Sequence, residues 1–391
     1  MPTETPSTCE ALLRRMVGHN TVNAQLPDGK PDAEQALGEY LEALAKQWGL
    51  ASSRHPVPKT AFNLLITCEV SPDAPWLLMD SHMDTVSARG MIVDPFAGEV
   101  RDGRMYGRGA CDTKGSGAAM LWALRDYAAG SDRPNNVAIC FGVDEEVSKA
   151  GVRAFVNDQL PGLGWRPVGV IVGEPTMLEP VVAHNGGVRS RLRTDGVACH
   201  SSDPSKGKSA ISMMLKVIHA LESGYIPSLN TRHPLTGKNQ ASVNTIAGGV
   251  QHNIIPERCE AVMDRRIVPG EDPNRVLDDV HALLDELRAA DPELRVKIET
   301  FFSDPALDPT VSEAFTARVT PVLAAMGIDP TPTGVPYGTN GSTYTDAGHP
   351  VVVIGPGHID QAHKADEWLE LDQLNRAVDV YKNLMGLKTN V

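Results

Sequence analysis

WLLMDSHMDTV, residues 76–86, sets an apolar run directly against a string of polar side chains. A short run of this kind, almost free of charge, suits a strand buried on both faces, as in a mostly parallel sheet covered by helices. In open α/β sheets, ligands bind at the carboxyl ends of the strands. Here that end carries Ser81, His82, Met83 and Asp84. His82 and Asp84 are two residues apart, so extended backbone puts both on one face. A ligating histidine usually passes its second ring N–H to a carboxylate, a backbone carbonyl or water. Asp84 is placed for that role; the plainer alternative is a capped turn with a surface histidine.

The same pattern recurs outward along the chain. VAICFGV (137–143) runs into Asp144, Glu145 and Glu146, and VGVIV (168–172) runs into Gly173, Glu174, Pro175 and Thr176. VVVIGPG (351–357) is followed at a short distance by Gln361, Ala362 and His363. Another apolar run covers 63–70, and helical patterns occupy 32–48, 115–127 and 149–157. One metal-capable group after a strand is usually a turn former or a cap. Four such ends, all on one side of the presumed sheet, form a constellation. Glu145 and Glu146 packed behind a buried strand repel, unless one takes up a proton or a cation is present. A metal that ligates one leaves the other to accept a proton from metal-bound water; in solvent the same pair merely starts a helix. Asp112 lies in MYGRGACDTKGSGAAM (105–120), among Gly107, Gly109, Gly115 and Gly117. It either caps the following helix or bridges two ions, one on each oxygen. Two histidines and three carboxylates suit zinc, with cobalt or manganese as substitutes, and water bound there ionises near neutral pH.

The middle of the chain has another rhythm. Residues 188–194 alternate like a half-exposed strand, and 208–221 form a helical pattern. Strand patterns follow at 242–247 and 260–268, then a helix at 275–289 and a strand at 295–300. The order β-α-β-β-α-β is that of a split βαβ, ferredoxin-like unit. The expected fold is therefore α/β. Residues 1–184 and 298–391 make a catalytic, metal-binding domain with a mixed, mostly parallel sheet, and 185–297 form an inserted α+β domain.

With 391 residues, the chain exceeds the ~250–300 at which single cores stop growing. A net charge of −13 argues against a nucleic-acid or anionic-membrane surface, either of which needs a concentrated basic face. Aromatic content of 5% leaves little for stacking on single strands. No apolar run reaches the ~18 residues of a membrane span. The start, MPTETPSTCEALLRR, has no charged-then-apolar secretory pattern, and six scattered cysteines include no CxxC pair. These features point to reduced thiols and a cytoplasmic location. Other templates fail: there is no GxSxG and no HExxH, and Ser202 stands where a Walker A loop ending in Gly207-Lys208-Ser209 needs glycine.

Six motifs, SHMDTV (81–86), GRGACDTKG (107–115), DEEVSKAG (144–151), GEPT (173–176), GHPVVVIGPG (348–357) and QAHKADEWLE (361–370), span nearly the whole chain. As a spaced set they resemble the M20 metallopeptidase family, the dinuclear zinc amidohydrolases. The resemblance implies a zinc-peptidase-like catalytic domain with two zinc ions per subunit. His82 and Glu174 then hold one ion, Glu146 and His363 the other, Asp112 bridges them, and Glu145 is the general base. It also implies a cis peptide after Asp112 and a homodimer formed through the inserted domain. His200 would steady an oxyanion in the partner's active site, with Asn253 nearby. Arg266 would bind the substrate carboxylate, and Gly338 and Thr339 would line the pocket.

Within the family, GEPTMLEPVVAHNGG (173–187) and HSSDPSKGKSAI (200–211) read like the acetylornithine deacetylase branch. That branch tends to carry glutamate where this chain has Asn340, and the change removes a counter-charge for a cationic side chain. The substrate implied is an N-acyl amino acid or a short peptide. Desuccinylation of a succinyl-diaminopimelate type, or carboxypeptidase or dipeptidase action, are the alternatives.

Overall fold

The computed structural model describes residues 5–388. The chain forms two compact units. One comprises the chain up to Val182, Pro309–Thr333 and the segment from Thr339 onward; the other comprises Ala183–Asp308 and Gly334–Gly338.

In the first unit, Trp76–His82 is a central strand, parallel to Asn136–Gly142 on one side and to Gly169–Val172 on the other. Val351–Val353 joins in parallel beside Gly169–Val172. Beyond Asn136–Gly142 come Phe62–Cys68 and Ala51–Pro56, both antiparallel to their neighbours. At the far edge, Val181–His184 and Thr333–Val335 complete eight strands. The sheet is thus mixed around a parallel centre. Asn136–Gly142, Gly169–Val172 and Val351–Val353 are buried at every position. Two-sided burial is what removes polar alternation from their sequences.

Helix Gly115–Ala129 packs against helices Cys9–Gly18 and Leu371–Met385 and is buried over most of its surface. Its small first residues bring it against the strands. A Cβ at Gly117 would come within 2.9 Å of Ser81 Oγ and 3.0 Å of Phe141 Cε1, so a larger residue would push the helix start or these side chains apart. The expected helix over 32–48 is Ala33–Gln47; Asp32 precedes it but makes no side-chain capping bond.

The second unit contains Gly186–Asp195, helix Ala210–Ala220, Gln240–Gly248, Arg258–Ile267, helix Asp278–Ala290 and Val296–Asp304. Its sheet runs 240–248, 258–267, 186–195, 296–304, antiparallel throughout. Arg258–Ile267 alternates between buried and half-exposed positions. Leu192, Ala261 and Met263 share an apolar cluster with Met214, Val217, Val280 and Leu284 of the helices. Patterning alone ends this unit at residue 297, whereas the last strand continues to Asp304. A bulge between Thr300 and Phe302 breaks the alternation there, which hides the strand's second half from a period-2 reading. Among the described residues, no helix is long and apolar enough to cross a membrane.

Candidate metal centre

The parallel strands deliver their polar ends to one place. His82 is the last residue of its strand and is 3% exposed. Its Nε2 lies 3.2 Å from Asp112 Oδ1. The other oxygen of Asp112 lies 3.3 Å from His363 Nε2, and that same nitrogen is 3.2 Å from Glu146 Oε2. Donor atoms of His82, Asp112 and Glu146 all fall within 4.8 Å of one another. In a tetrahedral zinc site with bonds of ~2.0–2.1 Å, neighbouring donors stand about 3.3 Å apart. The spacing therefore fits ions seated between each histidine and its own oxygen of Asp112. Glu146 Oε1 is buried with no hydrogen-bond partner, as a ligand oxygen would be. Glu174 is 6% exposed and lies within electrostatic reach of Asp112, His82, Glu145 and Glu146.

The arrangement is fixed from behind. His82 Nδ1 is 2.9 Å from the backbone oxygen of Asp84 and 3.4 Å from its Oδ1. The carbonyl is thus the nearer acceptor, and the carboxylate has a second task. Asp84 Oδ1 accepts the Glu145 N–H at 3.0 Å, and Oδ2 accepts the Glu146 N–H at 3.1 Å. Asn23 Nδ2 donates to both Asp84 and Asp144, each at 2.8 Å. The Asp112–Thr113 peptide is cis. Glu367 Oε1 accepts the N–H groups of Cys111 and Asp112 at 2.9 and 3.1 Å, and its Oε2 pairs with Arg108 at 2.6 Å.

So many carboxylates in a buried site carry an electrostatic cost. Burial, then the charge of Asp112, drives Glu174 well above the usual carboxylate range. Burial pushes Glu145 up to about 8, against the pull of Lys149 and His82. Glu146 rises for similar reasons, burial first and Asp112 next. Burial would also raise Asp112, but hydrogen bonds to His363 and His82 hold it below its ordinary value. His363 is pushed up to about 10 by its contacts with Asp112 and Glu146. Divalent cations remove this conflict, since they favour ionised carboxylates and neutral imidazoles together.

The remaining expected residues fall in two groups. His200, Asn253, Arg266 and Gly338 belong to the second unit. His200 and Asn253 are neighbours there: His200 pairs with Ile254 across two short strands, and Ser201 N–H donates to Asn253 O at 3.0 Å. Ser202 N–H donates to His200 Nδ1 at 3.1 Å, and His200 is exposed. The side-chain oxygen of Asn253 is buried without a partner. Strand alternation separates the two arginines. Arg265 is 2% exposed and bonds Tyr225 and Glu271, whereas Arg266 is half-exposed beside Asp264 at 3.1 Å.

Thr339 and Asn340 lie in the first unit and are buried. Asn340 does not present its side chain as an open pocket wall; its Nδ2 donates to Asp80 Oδ1 at 2.9 Å. Its Oδ1 is buried without a hydrogen-bond partner, so one end of the amide is anchored to a buried carboxylate and the other is uncommitted.

Sequence reasoning leaves out Asn23, Asp80, Lys149 and Glu367 from this neighbourhood. Glu367 stands inside a motif already singled out, QAHKADEWLE, but nothing local distinguishes it from a surface acid. Asp80 carries the clearest signal, a charge directly after the apolar run WLLM within a buried strand.

Comparison with known proteins follows from this geometry. A model of "Peptidase family M20/M25/M40" matches residues 78–386. An acetylornithine deacetylase of Proteus mirabilis is 32% identical over 388 residues, covering 96% of this chain and 94% of that protein. Among solved structures, an M20 family metallo-carboxypeptidase from Sulfolobus solfataricus superposes with a TM-score of 0.77 at 17% identity, over 96% of this chain and 98% of that one. A dinuclear metal-binding peptidase of the M20 family from Bacillus subtilis gives 0.71 at 14% identity, over 97% and 96%.

Proposed function

The chain belongs to peptidase family M20/M25/M40, and from that membership we propose that it hydrolyses the amide bond of an N-acyl amino acid, an N-acetyl group being the preferred acyl. The observation that carries this reading is the pair of histidines facing opposite oxygens of Asp112, at 3.2 and 3.3 Å, with Glu145 next to Glu146. His82, Glu174, Glu146 and His363 would hold two zinc ions with Asp112 between them. Bound there, zinc would polarise the scissile carbonyl and bring the pKa of water towards neutrality.

The chain's own residues do the rest. Asp84 sets the positions of His82 and of the Glu145–Glu146 backbone. Glu145 takes the proton of the attacking water and passes it to the leaving nitrogen, a transfer worth typically 10²–10⁴-fold in rate. His200 and Asn253 steady the oxyanion, a donor role worth about 3 kcal/mol. Arg266 holds the substrate carboxylate, to which a guanidinium bonds in bidentate fashion.

A homodimer is part of the reading. Strand Gln240–Gly248 ends its sheet and carries neither charge nor proline, and such an unguarded edge is a template for pairing. Six unpaired cysteines support a reducing, cytoplasmic setting. The test is a panel of N-acetyl amino acids, N-succinyl amino acids and dipeptides, compared by kcat/KM with zinc supplied. N-acetyl substrates should lead by at least about tenfold. Uniformly low rates would overturn the substrate assignment, and a lead for the succinyl compounds or the dipeptides would replace it with that activity.

A further inference from the structure

The loop that carries Glu145 and Glu146 is bracketed by two non-glycine residues in left-handed backbone, Asp144 at φ 58° and Lys149 at φ 57°. Lys149 N–H donates to Asp144 O at 2.7 Å and closes the loop. Glycine is the residue that such a conformation favours. What retains a lysine is therefore its side chain. That side chain turns inward and is 6% exposed. Its Nζ donates to the backbone oxygen of Thr339 at 2.7 Å and stands 3.8 Å from Glu145 Oε1. Its charge also reaches Asp80, which anchors Asn340 and Tyr344. An ammonium withdrawn from water persists only when paired and hydrogen-bonded. These contacts meet that requirement and join two segments that the sequence keeps far apart.

We infer that Lys149 is a positioning residue for Glu145, tying the carboxylate of the base to the Thr339–Asn340 loop. Glu145 has three rotatable side-chain bonds, and the contact of its Oε1 with Lys149 Nζ restrains them. With Lys149 gone, the carboxylate spreads over several rotamers, only some of which face an attacking water. At the pocket loop Lys149 meets a backbone oxygen, that of Thr339, rather than a side chain, so the loss falls mainly on the chemical step. The inference rests on the reading of Glu145 as base.

Its test combines kinetics with a double-mutant cycle. Lys149→Met should retain two zinc ions per chain, lower kcat by about 10–100-fold and leave KM within about threefold. Lys149→Arg should recover part of the lost kcat, because a cation is restored. The cycle of Lys149→Met with Glu145→Gln, read by urea unfolding of the zinc-loaded protein, should be non-additive. The double variant, which buries no lone charge at this pair, should unfold at a higher urea concentration than the summed shifts of the single variants give. Additive midpoints together with an unchanged kcat in Lys149→Met would overturn the positioning role, as would a fall in kcat that tracks zinc loss. Turnover retained by Glu145→Gln would instead overturn the reading of the base, while the urea cycle still reports whether the two side chains are coupled.

Discussion

Asn340 Nδ2 and Asp80 Oδ1 are joined by a 2.9 Å hydrogen bond in the interior of the first unit, and Tyr344 Oη donates to the other Asp80 oxygen at 2.8 Å. Burial raises the Asp80 carboxyl, and these two donors pull it back. The neutrality of residue 340 is thus matched to an acid beneath it. Asn340→Asp sets two carboxylates face to face in a dry site. It should destabilise the protein by roughly 2–4 kcal/mol near pH 7, seen as a lower urea midpoint, whereas Asn340→Ala should cost about 1–3 kcal/mol for the donor lost. Equal midpoints for wild type and Asn340→Asp would remove Asp80 from this account.

Glu145→Gln keeps the shape of the side chain and removes its capacity to accept a proton. Two zinc ions should remain per chain by elemental analysis, while kcat falls by about 10²–10⁴-fold. Metal loss in the variant would move Glu145 from base to ligand.

Glu367 orients Asp112 through the backbone rather than by touching a metal. In Glu367→Gln, one of the side chain's two acceptor oxygens gives way to an NH₂ donor, which cannot serve the N–H groups of Cys111 and Asp112 and at the same time accept from Arg108. Zinc affinity should fall about 10–100-fold, as read by competition with a chromophoric chelator. Unchanged affinity would mean that the loop keeps its shape without this support.

Glu34 gives a pH signature. It is 4% exposed, and burial, with the charges of Asp84 and Asp144, pushes its carboxyl up to about 8. The folded state therefore binds this proton more tightly than the unfolded chain, whose carboxyl titrates near ~4.3. The stabilising contribution is complete below the unfolded value and disappears as pH rises through the folded one. Glu34→Gln holds the neutral form at every pH. It should change stability little at pH 4 and raise it increasingly between pH 5 and 8, by up to a few kcal/mol. A variant whose unfolding free energy runs parallel to wild type across that window would show that Glu34 ionises normally.

The convergence of His82, Glu146 and Glu174 was legible because these residues end or closely follow strands that are almost wholly buried. Such strands leave unbroken apolar runs, and the first polar residues after them mark the ligand-binding end of the sheet. The strand Ala51–Pro56 escapes that reading because it is an exposed edge with sequence ASSRHP, and its pairing comes from the neighbour rather than from its own pattern. Helix Leu371–Met385 is passed over although its buried positions, among them Leu374, Ala377, Tyr381 and Leu384, recur at helical spacing. Lys149 looks like the polar start of a surface helix; its burial depends on Thr339, which is 190 positions away. Glu367 meets Asp112 across 255 positions, and no local pattern encodes that meeting. The second half of Val296–Asp304 was hidden by its bulge. The bond from Asn340 to Asp80 spans 260 positions, and no local pattern announces it.

The pairing of Val351 with Val170 has a consequence for the newborn protein. Everything from Ala183 to Asp308, a complete sheet-and-helix unit, must leave the ribosome before that strand can dock. His363 follows later still. A chain in mid-synthesis therefore owns His82, Asp112, Glu146 and Glu174 but not His363, whose Nε2 lies against Asp112 and Glu146 in the folded protein. The candidate centre is therefore completed only after residues 183–308 have been made.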